Sequence, residues 1–300
     1  IADGRVESIG PGEAAVQPGD EIIDGRGKLF LPGFVNTHGH AAMTLLRGYK
    51  DDVNLQVWLE QYMWPAEAKM TAKDVRAGAE LAILEMVKNG ITAFMDMYDH
   101  MDEVGEAAAS AGVRACLARG IIGFGSEEVV RAKLADAVAV AKTWHGAADG
   151  RITAAMAPHA AYTCPPALIE KIVEAAHDLD LPIHTHLSET AREVSDNVAA
   201  YGARPVEHLL RLGLFTRPCL FAHGVHLSDE EIAVLAQYGA GVSHNPGSNL
   251  KLASGVARVP DMLAAGVPVS LGTDGAASNN NLDILREIRL AALIHKGVSG

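Results

Sequence analysis

The residues best suited to chemistry are histidines and acids that recur where short apolar runs end. His38 and His40 are separated by a single glycine, so in extended backbone their side chains point to the same side. His186 ends a second run and Asp274 ends a third. Imidazoles and carboxylates are common ligands of zinc and related divalent ions. Three histidines and one aspartate would leave a coordination position open for water, as a catalytic metal site requires.

Two more side chains near these ligands have the chemistry to use such a water. Glu189 lies three residues after His186, close enough to exchange a proton with a substrate without binding the ion. His223 ends another apolar run and could orient the water or polarise the substrate. Asp274 could bind the ion and accept the proton of the water, whose pKa the ion lowers towards about 7. These residues predict a hydrolase that depends on one divalent metal ion.

Other histidines at the ends of apolar runs have simpler interpretations. His184 has the same side-chain direction as His186 but lies one layer deeper, which favours a packed core histidine. His244 ends its run at the level of the predicted ligands, so a role in a pocket stays open for it.

The predicted ligands need a scaffold that brings the ends of distant segments together. From residue 30 onward, eight β-branched or apolar runs alternate with amphipathic, helix-like segments. The predicted strands are Phe30–Thr37, Thr92–Asp96, Val113–Arg119, Ile152–Pro158, Pro182–Leu187, Cys219–His223, Gly241–His244 and Val267–Thr273. This alternation indicates parallel pairing, and eight such units close a barrel. Active sites of barrels lie at the carboxyl ends of the strands, where the predicted ligands fall.

The first 29 residues do not follow this alternation. Arg5–Gly10 and Glu21–Asp24 read as short strands separated by turns that contain glycine and proline. We therefore predict the α/β class, with a (β/α)8 TIM barrel over residues 30–300 and a small, incomplete β-sandwich segment over residues 1–29. The chain opens at Ile1 rather than at Met, so we expect the natural N-terminus to lie upstream.

Composition narrows the choice of partners and compartment. The formal net charge of −12 argues against nucleic acid and anionic membranes as partners. No run approaches the roughly 18 uninterrupted apolar residues that a membrane span needs. The three cysteines, Cys116, Cys164 and Cys219, are widely spaced and odd in number, which indicates a reducing compartment. We therefore predict a cytoplasmic protein.

Long motifs in the chain resemble the amidohydrolase superfamily. Residues 31–48, 184–189, 222–227, 243–255 and 271–281 are similar to its 5-methylthioadenosine/S-adenosylhomocysteine deaminases and to the neighbouring triazine hydrolases. The resemblance covers nearly the whole chain. It implies zinc, or a similar divalent ion, as cofactor, a proton shuttle, and a histidine beside the hydrolytic water. The matching residues are His38, His40, His186 and Asp274 as ligands, Glu189 as shuttle and His223 beside the water.

The resemblance also implies contacts with substrate that spacing alone does not provide. Trp58 and Glu67 match positions that pack against the base and bind the ribose hydroxyls, and His159 matches a histidine that contacts the nucleoside. Arg119 and, by a weaker match, Arg131 correspond to residues that would meet the carboxylate of a homocysteine tail. Without the resemblance, a core tryptophan and a helix-start glutamate would be the simpler interpretations of Trp58 and Glu67.

The implied activity is deamination of adenosine-type nucleosides, 5′-methylthioadenosine and S-adenosylhomocysteine, to the inosine analogue and ammonia by attack of metal-bound hydroxide. A carboxylic acid must protonate the ring nitrogen beside the attacked carbon, as Glu189 could. The alternative is hydrolysis of another amino- or chloro-substituted heterocycle, an s-triazine or a guanine-like base, because the metal site does not separate the two. A non-catalytic, ligand-binding barrel is disfavoured because all four ligands and Glu189 are present. We expect a small-molecule substrate and a homo-oligomer.

Overall fold

The structure is a computed structural model that describes residues 1–2, 5–12 and 16–299. It divides into two compact units, Ile1–Pro32 and Gly33–Gly300. In the second unit, eight parallel strands pair with one another in sequence order. They are β1 (Phe34–Asn36), β2 (Ile91–Tyr98), β3 (Arg114–Ile121), β4 (Ile152–Pro158), β5 (Ile183–Leu187), β6 (Cys219–His223), β7 (Gly241–His244) and β8 (Val269–Leu271). Each of the eight predicted strands overlaps one of these.

Hydrogen bonds between the ends of β8 and β1 bring the two edges of the sheet together. The backbone N–H of Thr37 donates to the carbonyl of Leu271 (3.2 Å), and that of Asp274 donates to the carbonyl of His38 (3.0 Å). Gly272 permits this approach, since a Cβ there would lie 2.9 Å from the backbone nitrogen of His38. The predicted (β/α)8 barrel is confirmed.

Helices return the chain from one strand to the next. Their bounds are α1 (Leu55–Val57), α2 (Trp64–Glu67), α3 (Ala72–Lys88), α4 (Met101–Ala111), α5 (Glu127–Trp144), α6 (Ala147–Gly150), α7 (Pro166–Asp178), α8 (Ala191–Tyr201), α9 (Pro205–Arg211), α10 (Asp229–Tyr238), α11 (Pro246–Lys251), α12 (Val259–Ala264), α13 (Ala276–Asn279) and α14 (Ile284–Ser299). Ala41–Leu46 and Leu214–Thr216 are 3-10 helices and Trp58–Met63 is a π-helix. In the described part of the chain, no helix is both long enough and apolar enough to cross a bilayer.

The local sequence explains where the longer helices begin. α3 begins with a capping box, in which the Thr71 hydroxyl accepts the backbone N–H of Asp74 and the Asp74 carboxylate accepts that of Thr71. Ser228 and Glu231 form the same arrangement at the start of α10. These caps satisfy backbone N–H groups that have no partner within the helix.

Apolar side chains between the helices and the strands hold the barrel rigid. Ile169 and Ile172 of α7 belong to one buried cluster with Met156 of β4, Ile183 of β5 and Phe221 of β6. Burying each of these side chains contributes about 1.5–3 kcal/mol relative to exposure. The packed layer fixes the strands, and with them the positions of the residues at the strand ends.

The first unit contains little regular structure in its described residues. They include one isolated antiparallel bridge, between Ala2 and Arg5, and no strand. The prediction of strands over Arg5–Gly10 and Glu21–Asp24 is therefore wrong. Neither segment has a partner strand among the described residues, and one or two short strands are only marginally stable on their own. The β-sandwich segment and the boundary after residue 29 stay predictions.

Candidate active site

Six polar side chains converge at the carboxyl ends of β1, β5, β6 and β8. We call them the strand-end cluster: His38, His40, His186, Glu189, His223 and Asp274. In this cluster, one carboxylate oxygen of Asp274 lies 3.4 Å from Nε2 of His38 and 3.1 Å from Nε2 of His40. Nitrogen atoms of His38, His186 and His223 also lie within 4.8 Å of one another. The structure thus brings together the four predicted ligands and the two predicted catalytic partners.

Two residues of the strand-end cluster have unusual backbone conformations. His223 has a φ of 74° and Asp274 a φ of 59°, in the left-handed region that residues other than glycine rarely adopt. Such conformations cost on the order of 1–3 kcal/mol and concentrate at functional sites, because the surrounding fold must hold them. His223 is the last residue of β6 and Asp274 lies three residues after the end of β8, where the chain turns away from the sheet.

The chemistry of the donor set fits a divalent cation. Nδ1 of His40 lies 2.5 Å from the carbonyl of Met97, and Nδ1 of His186 lies 2.7 Å from the carbonyl of His159. Because a carbonyl only accepts, each Nδ1 carries a proton and each neutral ring keeps a lone pair on Nε2. Nε2 of His38 is buried without a hydrogen-bond partner in the described structure. Imidazole lone pairs beside a carboxylate are the ligand set of catalytic zinc and similar ions.

Electrostatics couple Asp274 to the two histidines of β1. Burial would raise the pKa of Asp274, but its close contacts with the rings of His38 and His40 outweigh burial and hold this pKa well below its usual range. Burial would likewise lower the pKa of His40, but the bond to Asp274 and its charge raise it to about 9. Burial lowers the pKa of His186, so this ring is neutral at neutral pH. A divalent cation bound here would displace the proton shared by His40 and Asp274.

Glu189 lies beside the predicted ligands and is almost completely buried. One of its carboxylate oxygens accepts the Ser254 hydroxyl (3.1 Å), and the other lies 3.6 Å from Nε2 of His223. Glu193 accepts the backbone N–H of Glu189 at 2.8 Å, which holds the backbone of this residue. Burial raises the pKa of Glu189. The carboxyl is therefore shifted towards its protonated form, in which it can donate a proton.

One segment, residues 246–254, supplies partners to three members of the strand-end cluster. Ser248 donates its hydroxyl to Asp274 (2.6 Å), Asn249 lies with its amide oxygen 2.7 Å from Nδ1 of His223, and Ser254 donates to Glu189. All three side chains are buried. The sequence of this segment does not by itself indicate these contacts, because the partners are distant along the chain.

A cavity of about 300 Å³ lies over the strand-end cluster. His159 lines it beside the cluster, with its ring 4.6 Å from that of His186. The outer lining includes a group that we call the pocket wall: Trp58, Glu67, Asp99, Arg119 and Lys133.

The pocket wall contains both residues that were predicted to hold the base and the ribose. Trp58 begins the π-helix and is buried, and its indole N–H has no partner in the described structure. Glu67 ends α2, and burial raises the pKa of its carboxyl, although a hydrogen bond from Tyr98 opposes the shift. Each therefore presents a polar group to the cavity that a ligand could satisfy.

The two predicted arginines differ in their positions. Arg119 lines the cavity, and its guanidinium pairs with Asp99 (2.9 Å) and Asp136 (2.8 Å). Arg131 is exposed on α5 and does not line the cavity, so the structure does not bring it to the site. Lys133, two residues further along the helix, lines the cavity instead and donates to the carbonyls of the loop after β3. A two-residue step on a helix turns the side chain by about 200°, which places these two side chains on different faces.

An eight-stranded parallel barrel with histidines and an aspartate at the strand ends defines the class of metal-dependent barrel hydrolases. Residues 29–300 match the Amidohydrolase family, and the chain belongs to this family. It is 51% identical over 297 residues to the 5-methylthioadenosine/S-adenosylhomocysteine deaminase of Syntrophomonas wolfei subsp. wolfei. The match covers 99% of this chain and 68% of that relative.

The chain is also similar to solved structures of a deaminase and of a chlorohydrolase. An adenosine deaminase from Xanthomonas campestris with bound zinc is 41% identical, with a TM-score of 0.83 over 89% of this chain and 61% of the other. An atrazine chlorohydrolase from Arthrobacter aurescens TC1 complexed with zinc is 26% identical, with a TM-score of 0.80 over 88% of this chain and 64% of the other. The chain thus spans about three fifths to two thirds of these proteins. The histidine–aspartate cluster, the family and the zinc-bound neighbours together fit a divalent metal ion.

Proposed function

We propose that this protein is an aminohydrolase that releases ammonia from adenosine-type nucleosides, with 5′-methylthioadenosine and S-adenosylhomocysteine as substrates. The observation that carries the proposal is the buried Glu189, which faces the same cavity as the histidine–aspartate cluster. The similarity to the deaminases supports the nucleoside, since the triazine hydrolase is less similar in sequence.

In this proposal, His38, His40, His186 and Asp274 hold one divalent ion, for which we propose zinc. The ion, when bound, supplies Lewis acidity that lowers the pKa of water towards about 7. Hydrogen bonds at Nδ1 hold the rings of His40 and His186 in orientations that leave Nε2 available to the ion. The zinc in both solved neighbours supports this choice of ion.

The protein's own residues move the protons of the reaction. The carboxyl of Glu189, shifted towards its protonated form by burial, gives a proton to the ring nitrogen beside the attacked carbon. Asp274 is held by Ser248 and accepts a proton from the water. His223 is held by its contact with Asn249 and orients that water. Water supplies the oxygen of the inosine analogue. The exocyclic nitrogen takes up the proton that Asp274 accepted, its bond to the ring carbon breaks, and it leaves as ammonia, while the new hydroxyl on that carbon returns a proton to Glu189.

The pocket wall and His159 bind the nucleoside in this proposal. Glu67 binds the ribose hydroxyls, and Trp58 packs against the base. Arg119 faces the tail of the substrate, where Asp99 and Asp136 compete with a substrate carboxylate for its guanidinium. This competition leads us to propose that a neutral methylthio tail is bound at least as well as a charged homocysteine tail.

A substrate panel tests the proposal. The zinc-loaded protein is incubated with 5′-methylthioadenosine, S-adenosylhomocysteine, guanine and a chloro-triazine. Ultraviolet absorbance reports conversion of the adenine ring to hypoxanthine, and ammonia or chloride release is measured in parallel. We expect one ammonia per hypoxanthine formed from the adenine nucleosides. Absence of turnover with both of them would contradict the proposal, and chloride release from the triazine would favour the alternative hydrolase.

The cellular setting of the protein is a further part of the proposal. We propose a cytoplasmic location, which the three unpaired cysteines support, because disulfides are rare in that compartment. A homo-oligomer stays a prediction that light scattering of the purified protein would test.

A further inference from the structure

The three histidines proposed as ligands are oriented in two different ways. His40 and His186 each donate Nδ1–H to a backbone carbonyl, that of Met97 and that of His159. His38 instead has a side-chain partner, since its Nδ1 lies 2.8 Å from Nε2 of His184. His38 is therefore the one of these three rings whose Nδ1 partner can be removed by substitution.

The partners of His184 determine the direction of this hydrogen bond. His184 lies in β5, is fully buried, and places its Nδ1 2.8 Å from the carbonyl of Leu220 on β6. A carbonyl only accepts, so Nδ1 of His184 carries a proton and, in a neutral ring, Nε2 is an acceptor. Nδ1 of His38 must then donate to it. The lone pair of the His38 ring is left on Nε2, the buried atom beside Asp274 that has no hydrogen-bond partner in the described residues.

We propose that His184 is a positioning residue that fixes the tautomer and the orientation of the His38 ring, so that His38 binds the metal ion through Nε2. This inference rests on the proposed metal site and goes beyond it, because His184 does not line the cavity and is not one of the proposed ligands. Either nitrogen of an isolated neutral imidazole can carry the proton, and only one of the two tautomers leaves Nε2 free. The relay from the Leu220 carbonyl through His184 selects that tautomer.

The experiment compares metal affinity in wild type, His184→Leu and His184→Gln. Leucine fills a similar volume but accepts no hydrogen bond. In glutamine, the amide oxygen can accept from His38 while the amide nitrogen donates to Leu220. His244→Leu serves as the matched control, because His244 is also a buried strand histidine but pairs with His295 (3.1 Å) outside the strand-end cluster.

Zinc dissociation constants are measured by competition with a chromophoric chelator, and cobalt-loaded samples report the ligand field. We expect His184→Leu to weaken zinc binding by about 10–100-fold, the usual effect of losing a partner of a metal ligand, and to change the cobalt spectrum. His184→Gln should recover most of the affinity, and His244→Leu should bind like wild type. Equal zinc affinity of wild type and His184→Leu would overturn the proposal. The proposal would also be overturned if His184→Gln bound zinc as weakly as His184→Leu while the two variants were equally stable.

A measurement on the wild type keeps the proposal testable if the leucine variant does not fold. In the ¹⁵N spectrum of the zinc-loaded protein, we expect the proton on Nδ1 in both His38 and His184. A proton on Nε2 of His184 would overturn the relay. None of these readouts uses a nucleoside, so the inference can hold where deamination fails, and the two failures are distinguishable.

Discussion

The strand-end cluster and the pocket wall face the same cavity but are built from different parts of the fold. The members of the strand-end cluster lie at or just after the ends of barrel strands, and backbone groups or buried side chains hold most of them. The pocket wall draws mostly on helices and loops, with Trp58 in a π-helix and Lys133 on α5, and only Arg119 of its five members lies within a barrel strand, β3. The ends of the barrel strands thus fix the groups that perform the chemistry, whereas most of the groups proposed to select the substrate lie on segments outside the strands.

The strongest test of this division is removal of the metal ion. A chelator should abolish deamination completely, because only the strand-end cluster carries the proposed ligands. Adding back zinc, manganese, iron and nickel separately should restore activity and identify the preferred ion. The melting temperature should fall on chelation, since an ion that binds only the folded state stabilises it. Full activity in protein shown to be metal-free would refute the assignment of the cluster.

A smaller effect is expected where the strand-end cluster depends on close backbone packing. A Cβ at Gly272 would lie 2.6 Å from the Ser243 hydroxyl and 2.9 Å from the His38 backbone, whereas one at Gly39 would meet its nearest neighbour at 3.5 Å. Gly272→Ala should therefore destabilise the protein by about 1–3 kcal/mol through overpacking. Gly39→Ala is the matched control and should unfold at nearly the wild-type denaturant midpoint. Equal midpoints for the two variants would contradict the packing argument.

The smallest effect is expected in the pocket wall. Lys133 donates to the carbonyls of Ile122 (3.0 Å) and Phe124 (3.1 Å), and thereby holds the loop after β3. Losing one such bond costs about 1 kcal/mol, so Lys133→Ala should raise KM for 5′-methylthioadenosine a few-fold and leave kcat nearly unchanged. Arg131→Ala should leave both parameters unchanged. A larger rise in KM for Arg131→Ala than for Lys133→Ala would show that the sequence-based choice of Arg131 was right.

The same division explains what the sequence could predict. The eight strands and the six residues of the strand-end cluster were predictable because strand periodicity and strand ends are local signals, and the barrel brings those ends together. The position of Lys133 depends on the rotation of α5 against the barrel. The contact of His184 with His38 joins residues 146 positions apart. Neither has a local signal. The strands predicted before residue 30 have no partner strand among the described residues that could stabilise them.

The most direct test of the account is steady-state kinetics of Glu189→Gln and Glu67→Gln, measured side by side with 5′-methylthioadenosine and with metal content verified. Glutamine at residue 189 cannot transfer the proton, so kcat should fall by about 10²–10⁴-fold while KM changes little. Glutamine at residue 67 should raise KM by about 10-fold through a weaker bond to the ribose, with kcat within a few-fold of wild type. Unchanged kcat in Glu189→Gln, or a loss confined to kcat in Glu67→Gln, would contradict the separation of chemistry from substrate selection.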